Sequence, residues 1–181
     1  MVVRITYFVH GTTTDNEQGL ATGWMPGELS EKGIKEAKKL GGLVSAQKFD
    51  VVFCSDLKRA VDSAELGFGE RDKVIQDKRL RECNYGDFTQ KSAGLFKSKM
   101  SDYIDKPFPH GESYKDVEKR IADFITFLKK NYERKHIAIV AHQAPQLALD
   151  VLVKGRTWKQ AIEEDWRKKK TWQPGWEYVV E

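Results

Sequence analysis

The chain has 181 residues, of which 40% are hydrophobic and 32% charged, enough apolar material for one core at roughly 150 residues per domain. Its net charge of +4 is small and spread along the sequence, which argues against a nucleic-acid or membrane partner. No apolar run is long enough to span a bilayer, no secretory leader is visible at the start, and Cys54 and Cys83 alone make neither a disulfide framework nor a metal-binding cysteine motif. A reducing, cytoplasmic setting is the simplest expectation, and no cofactor or metal is expected.

Residues 2–9, VVRITYFV, are rich in β-branched and aromatic side chains and predict a strand that delivers His10 at its end. Gly11 follows, where a ligand could approach the backbone closely. Ser30 opens a helical pattern carried by Ile34, Ala37, Leu40 and Val44. Residues 49–54, FDVVFC, predict a strand covered on both faces. A helix capped by Ser55 or Asp56 is expected next, running to about Gly67 and carrying Arg59 one turn in. A helix start with an arginine suits an oxyanion, although such an arginine is often only a solvated surface group.

Val74-Ile75 predicts a short strand, and Leu80-Arg81-Glu82 a loop that sets a carboxylate beside an arginine. Ser113-x-x-Asp116 resembles a capping box, followed by Val117, Ile121, Phe124 and Leu128 on one helix face. HIAIVA at 136–141 is a buried strand ending at His142, residues 145–154 read as helical, and WEYVV near the C-terminus suggests a last edge strand. Strands alternating with helices imply a single three-layer α/β/α domain with a mostly parallel sheet. A histidine at a strand end is often structural. Two at the ends of separate strands in such a sheet lie on the rim where sites form.

Several motifs occur in order. They are Val9-His10-Gly11-x-Thr13-x-x-Asn16, Gly23-Trp24, Leu29-Ser30-x-x-Gly33, Cys54-Ser55-Asp56-Leu57-x-Arg59-Ala60, Leu80-Arg81-Glu82 with Gly86, Gly111-Glu112-Ser113 and Val140-Ala141-His142. This series resembles the histidine phosphatase superfamily, of phosphoglycerate mutase-like fold, over nearly the whole chain. The resemblance implies that His10 is the nucleophile that accepts the phosphoryl group. Arg59 and His142 would hold the phosphate oxygens, and Glu82 would protonate the leaving oxygen. Asn16, Thr22 and Gly23 would lie near the substrate, with Gln143 a further donor. The implied activity is metal-independent hydrolysis of a small-molecule phosphate ester. The alternatives are a phosphoglycerate-type mutase and a weakly active or non-catalytic phospholigand binder. Residues 83–112 would form a short cap, and a short cap favours hydrolysis over transfer.

One position departs from the pattern: the superfamily's signature opens with arginine, and this chain has Val9. Arg81 is the first candidate for a compensating cation, ahead of Lys58 and the run Arg167–Lys170. His110, just before Gly111, is a candidate substrate contact. Trp158, Trp166, Trp172 and Trp176 crowd the C-terminal stretch, either as packing across the sheet edge or as a lid in which Trp166 and Arg167 close over the substrate.

Overall fold

Apolar, β-branched segments form the strands of a five-stranded sheet in the computed structural model, which describes residues 2–69 and 71–181. In chain order the elements are β1 (Val3–Val9), α1 (Thr14–Glu17), α2 (Glu31–Leu43), β2 (Val51–Cys54), α3 (Lys58–Phe68), β3 (Val74–Gln76), α4 (Gly94–Lys97), α5 (Tyr114–Asn131), β4 (His136–Ala141), α6 (Gln143–Lys154), α7 (Trp158–Glu163), α8 (Trp166–Lys169) and β5 (Trp176–Val180). The strand order is β3-β2-β4-β1-β5. All neighbours are parallel except β5, which runs antiparallel to β1 along the edge.

The period-2 alternation of β1 divides the core between the two faces of the sheet. Ile5 and Tyr7 join Phe53, Ile137 and Ile139 under α5, α6 and α7. Phe8 joins Val52, Cys54, Ala138 and Val140 on the other face, with Ala64 and Phe68 of α3 and Val44 at the end of α2. The result is the expected three-layer α/β/α arrangement. Val117, Ile121, Phe124 and Leu128 are all fully buried on α5, and Ser113 with Asp116 forms the complete capping box. No described helix is long and apolar enough to cross a membrane.

Three local readings change. Leu57, not Ser55 or Asp56, is the N-cap of α3 and makes no side-chain cap bond. The Asp56 carboxylate instead accepts two charge-assisted bonds from the Arg81 guanidinium, each at 2.7 Å. The later start makes Arg59 the second residue of α3. Gly11 serves the chain's own backbone, not a ligand: a Cβ there would lie 2.4 Å from the Gly33 carbonyl oxygen. Finally, the short helices α1, α4, α7 and α8 have too few turns to show a periodic stripe in sequence.

Strand register decides where chemistry is concentrated. Val9 of β1 pairs with Ala141 of β4, and the His10 N–H donates to the Ala141 carbonyl at 3.1 Å. The next residue on each strand is a histidine, so parallel pairing sets His10 and His142 side by side at the carboxyl end of the sheet.

Candidate active site

The two imidazoles stand with ring centroids 5.0 Å apart on a cavity of about 380 Å³, which Asn16, Thr22, Gly23, Arg59, Glu82 and Gln143 also line. Residues from six separate stretches of chain thus meet at one rim.

His10 Nδ1 lies 2.7 Å from the Gly11 carbonyl oxygen. A carbonyl can only accept, so the proton of the neutral ring is on Nδ1 and the lone pair on Nε2. Desolvation and then the charge of Arg59 lower the pKa of His10 from 6.5 to about 3. The ring is therefore neutral at neutral pH, with an Nε2 lone pair capable of nucleophilic attack. His142 is buried, and neither of its ring nitrogens has a partner among the described residues. Burial, then the Arg59 and His10 charges, hold it well below the usual imidazole range. Buried polar nitrogens normally have partners, and this ring lines the cavity beside His10.

Arg59 is 2% exposed and is held by main-chain acceptors. Nη1 donates to the carbonyls of Met25 at 2.7 Å and Pro26 at 3.2 Å, and Nη2 donates to that of Gly23 at 2.8 Å. Gly23 reaches its place with φ of +52°, a left-handed conformation that glycine adopts without strain. With only neutral acceptors, the guanidinium keeps its charge for an anion in the cavity, and its Nε has no acceptor among the described residues. Burial lowers its pKa, with the Glu82 charge acting in the opposite sense. An arginine nevertheless stays protonated.

The Glu82 carboxyl group accepts three backbone N–H bonds: Oε1 from Cys83 and Ala144, each at 2.9 Å, and Oε2 from Gln143 at 3.2 Å. It therefore sits on the N-terminal turn of α6, immediately after His142, and satisfies N–H groups that the helix itself leaves without partners. The main chain of Glu82 is braced from outside the cavity. Its carbonyl accepts from Trp24 Nε1 at 2.8 Å and Arg120 Nη2 at 2.9 Å. Arg120 also holds the carbonyls of Arg79 and Arg81, each at 2.7 Å, and pairs with Glu112.

The remaining expected residues divide. Asn16 lines the cavity while its Oδ1 accepts from Thr13 N–H at 3.1 Å. The Thr22 hydroxyl donates to Asp15 at 2.8 Å, and the Gln143 amide donates to Asp165. Arg81 is not brought to the cavity. Its guanidinium is fixed on Asp56 and lies 4.8 Å above the Trp24 ring, so it ties the stretch just before α3 to the loop that carries Glu82. Lys58 pairs with Glu28 and Asp62 on the surface. His110 points away and faces Asp87, with its side chain 85% exposed. Of the basic run, only Arg167 reaches the cavity, together with Trp166.

Other contributors carry no readable signal in sequence. Tyr7, buried three residues before His10, hydrogen-bonds both backbone groups of His142. Tyr85, Phe96 and Lys97 line the cavity from within the 83–112 stretch. Trp158 is core, stacked 5.4 Å from Tyr114, and Trp166 stacks on Trp176 of β5 at 5.0 Å. The tryptophan-rich stretch thus packs the sheet edge and also reaches the site.

The family model of the histidine phosphatase superfamily (branch 1) matches residues 7–167. The chain belongs to this superfamily. It is 29% identical to the adenosylcobalamin/alpha-ribazole phosphatase of Escherichia coli over 150 residues, covering 78% of this chain and 74% of that one. It is 31% identical to a 2,3-bisphosphoglycerate-dependent phosphoglycerate mutase of Methylorubrum populi over 166 residues, covering 83% and 78%. Among solved structures, a mycobacterial glucosyl-3-phosphoglycerate phosphatase complexed with VO3 superposes with a TM-score of 0.77 at 26% identity, covering 88% of this chain and 86% of that one. The superfamily contains both phosphatases and mutases, and its fold is the one described above.

Proposed function

We propose that this protein is a phosphatase that hydrolyses small-molecule phosphate monoesters through a phosphohistidine on His10, without a metal ion. One observation carries the reading: a neutral His10, with Nδ1 held by Gly11, shares a cavity with Arg59, Glu82 and a buried His142 whose ring nitrogens have no partner among the described residues. In the first step His10 Nε2 attacks phosphorus and the bond to the ester oxygen breaks, while a protonated Glu82 carboxyl group gives that oxygen its proton. In the second step water attacks phosphorus, Glu82 takes a proton from the water, and the P–N bond breaks to release phosphate. Arg59 and an N–H of His142 meet the charge spread over the equatorial oxygens.

Both activities occur among the relatives. We favour hydrolysis because the stretch between Glu82 and Ser113 is short and carries only α4 and single 3-10 turns. A mutase must keep water from its phosphoenzyme, and a short cap leaves the site more open. Brief exposure to a labelled phosphodonor tests the reading. An acid-labile, base-stable adduct on His10, with phosphate release and no transfer between the positions of phosphoglycerate, is expected. Transfer without release would favour the mutase, and an active His10→Ala protein would refute the mechanism.

A further inference from the structure

We propose that Arg167 is the second phosphate-gripping cation of this site, so that part of the ligand's charge is met from the C-terminal stretch of the chain. The inference rests on the phosphatase reading above. A transferring phosphoryl group spreads negative charge over three oxygens, and Val9, on the cavity wall next to His10, offers no donor. Besides Arg59, the cations on the wall are Lys97 and Arg167.

These two differ in how they are held. Lys97 is exposed and has no ion-pair partner among the described residues. Arg167 is placed in advance. Its backbone N–H and its Nη1 both donate to Asp165 Oδ1 at 3.0 Å, and Nη1 also lies 3.2 Å from Gln146 Oε1. Its guanidinium sits 4.4 Å over the Trp166 ring. The Asp165 side chain is only 1% exposed, and its other oxygen accepts from Gln143, the residue after His142. Arg167 is therefore registered to the histidine pair through Gln143 and Asp165.

The fixing contacts occupy Nη1 alone. Nε and Nη2 have no acceptor among the described residues, and they form the planar edge that binds phosphate oxygens in pairs. The Arg167 charge also contributes to lowering the pKa of both His10 and His142. Val9 and Trp166 line the same two adjoining cavities. An arginine at position 9 would bring a second guanidinium into the space that Arg167 serves.

Calorimetry with inorganic phosphate, together with kcat/KM on p-nitrophenyl phosphate, tests the proposal in the 181-residue chain. Arg167→Met should weaken phosphate binding and lower kcat/KM by about tenfold or more, while Arg167→Lys, which keeps the charge but loses the paired donors, should fall between Arg167→Met and the wild type. Adding Val9→Arg to Arg167→Met should restore binding, because it returns a cation to the same wall. A purely structural role in holding the tail would not be restored that way. Unchanged phosphate binding in Arg167→Met overturns the proposal. So does a loss equal in Arg167→Lys and Arg167→Met, a comparison that decides the matter if the double variant fails to fold. Phosphate binding that depends on Arg167 in a protein that hydrolyses no monoester would sink the phosphatase reading and leave this inference standing. A wild-type protein that does not bind phosphate overturns both.

Discussion

The Tyr7 hydroxyl satisfies both main-chain groups of His142: it donates to the carbonyl at 2.7 Å and accepts from the N–H at 2.9 Å. One buried side chain on β1 thereby fixes the backbone of the histidine that ends β4, at the point where the strand gives way to α6.

Tyr7→Phe keeps the ring and removes only the oxygen, leaving two buried backbone groups without a partner. Such groups cost about 1–3 kcal/mol each when orphaned. The variant should lower stability by an amount of that order and reduce kcat/KM as His142 loses its fixed orientation. Chemical denaturation and steady-state kinetics check both. Full activity in a destabilised protein would show that Tyr7 serves the core alone.

Glu82→Gln should slow hydrolysis of alkyl phosphates far more than that of an activated aryl phosphate. A proton donor matters most when the leaving oxygen is a poor leaving group. The amide still offers an oxygen to the α6 N–H groups, so the loop should hold its place. Rate ratios on the two substrate types decide the matter. Equal slowing of both would assign Glu82 a structural or binding role.

The His10 ring titrates at about 3 in the folded chain against 6.5 for a free imidazole. Between those values the unfolded chain binds the proton and the folded chain does not. His10 therefore favours folding above pH 6.5, and this contribution falls away as the pH drops from about 6.5 toward 3. His142, also depressed, acts in the same direction. Urea midpoints at pH 4.5 and pH 7.5 should show a smaller acid loss for His10→Gln than for wild type. Equal losses would mean that His10 is not held neutral by the fold.

Much of the candidate site was legible in sequence because its groups stand at strand and helix ends with distinctive neighbours. VVRITYFV and HIAIVA are apolar runs that stop at a histidine, and Cys54–Ala60 passes from strand to helix at Arg59. Arg81 was misplaced because a sequence shows its neighbour Glu82 but not Asp56, which lies 25 residues earlier and pairs with it. Tyr7, Arg120 and Asp165 were invisible for the same reason: each acts on a backbone or side chain far away in the sequence.

The sequence by itself determined the order of the main strands and helices, the apolar faces that form the two cores, and most of the residues that gather at the candidate site. Those features follow from local periodicity and from motifs a few residues long. Only the tertiary structure decided that Val9 pairs with Ala141, so that His10 and His142 become neighbours. It also decided that Arg81 braces the loops while Arg167 reaches the cavity. Strand register and the choice of ion-pair partner are contests between distant groups. They are settled by which pairing buries the apolar face and leaves the fewest polar groups unmatched, and no short stretch of sequence contains both contestants.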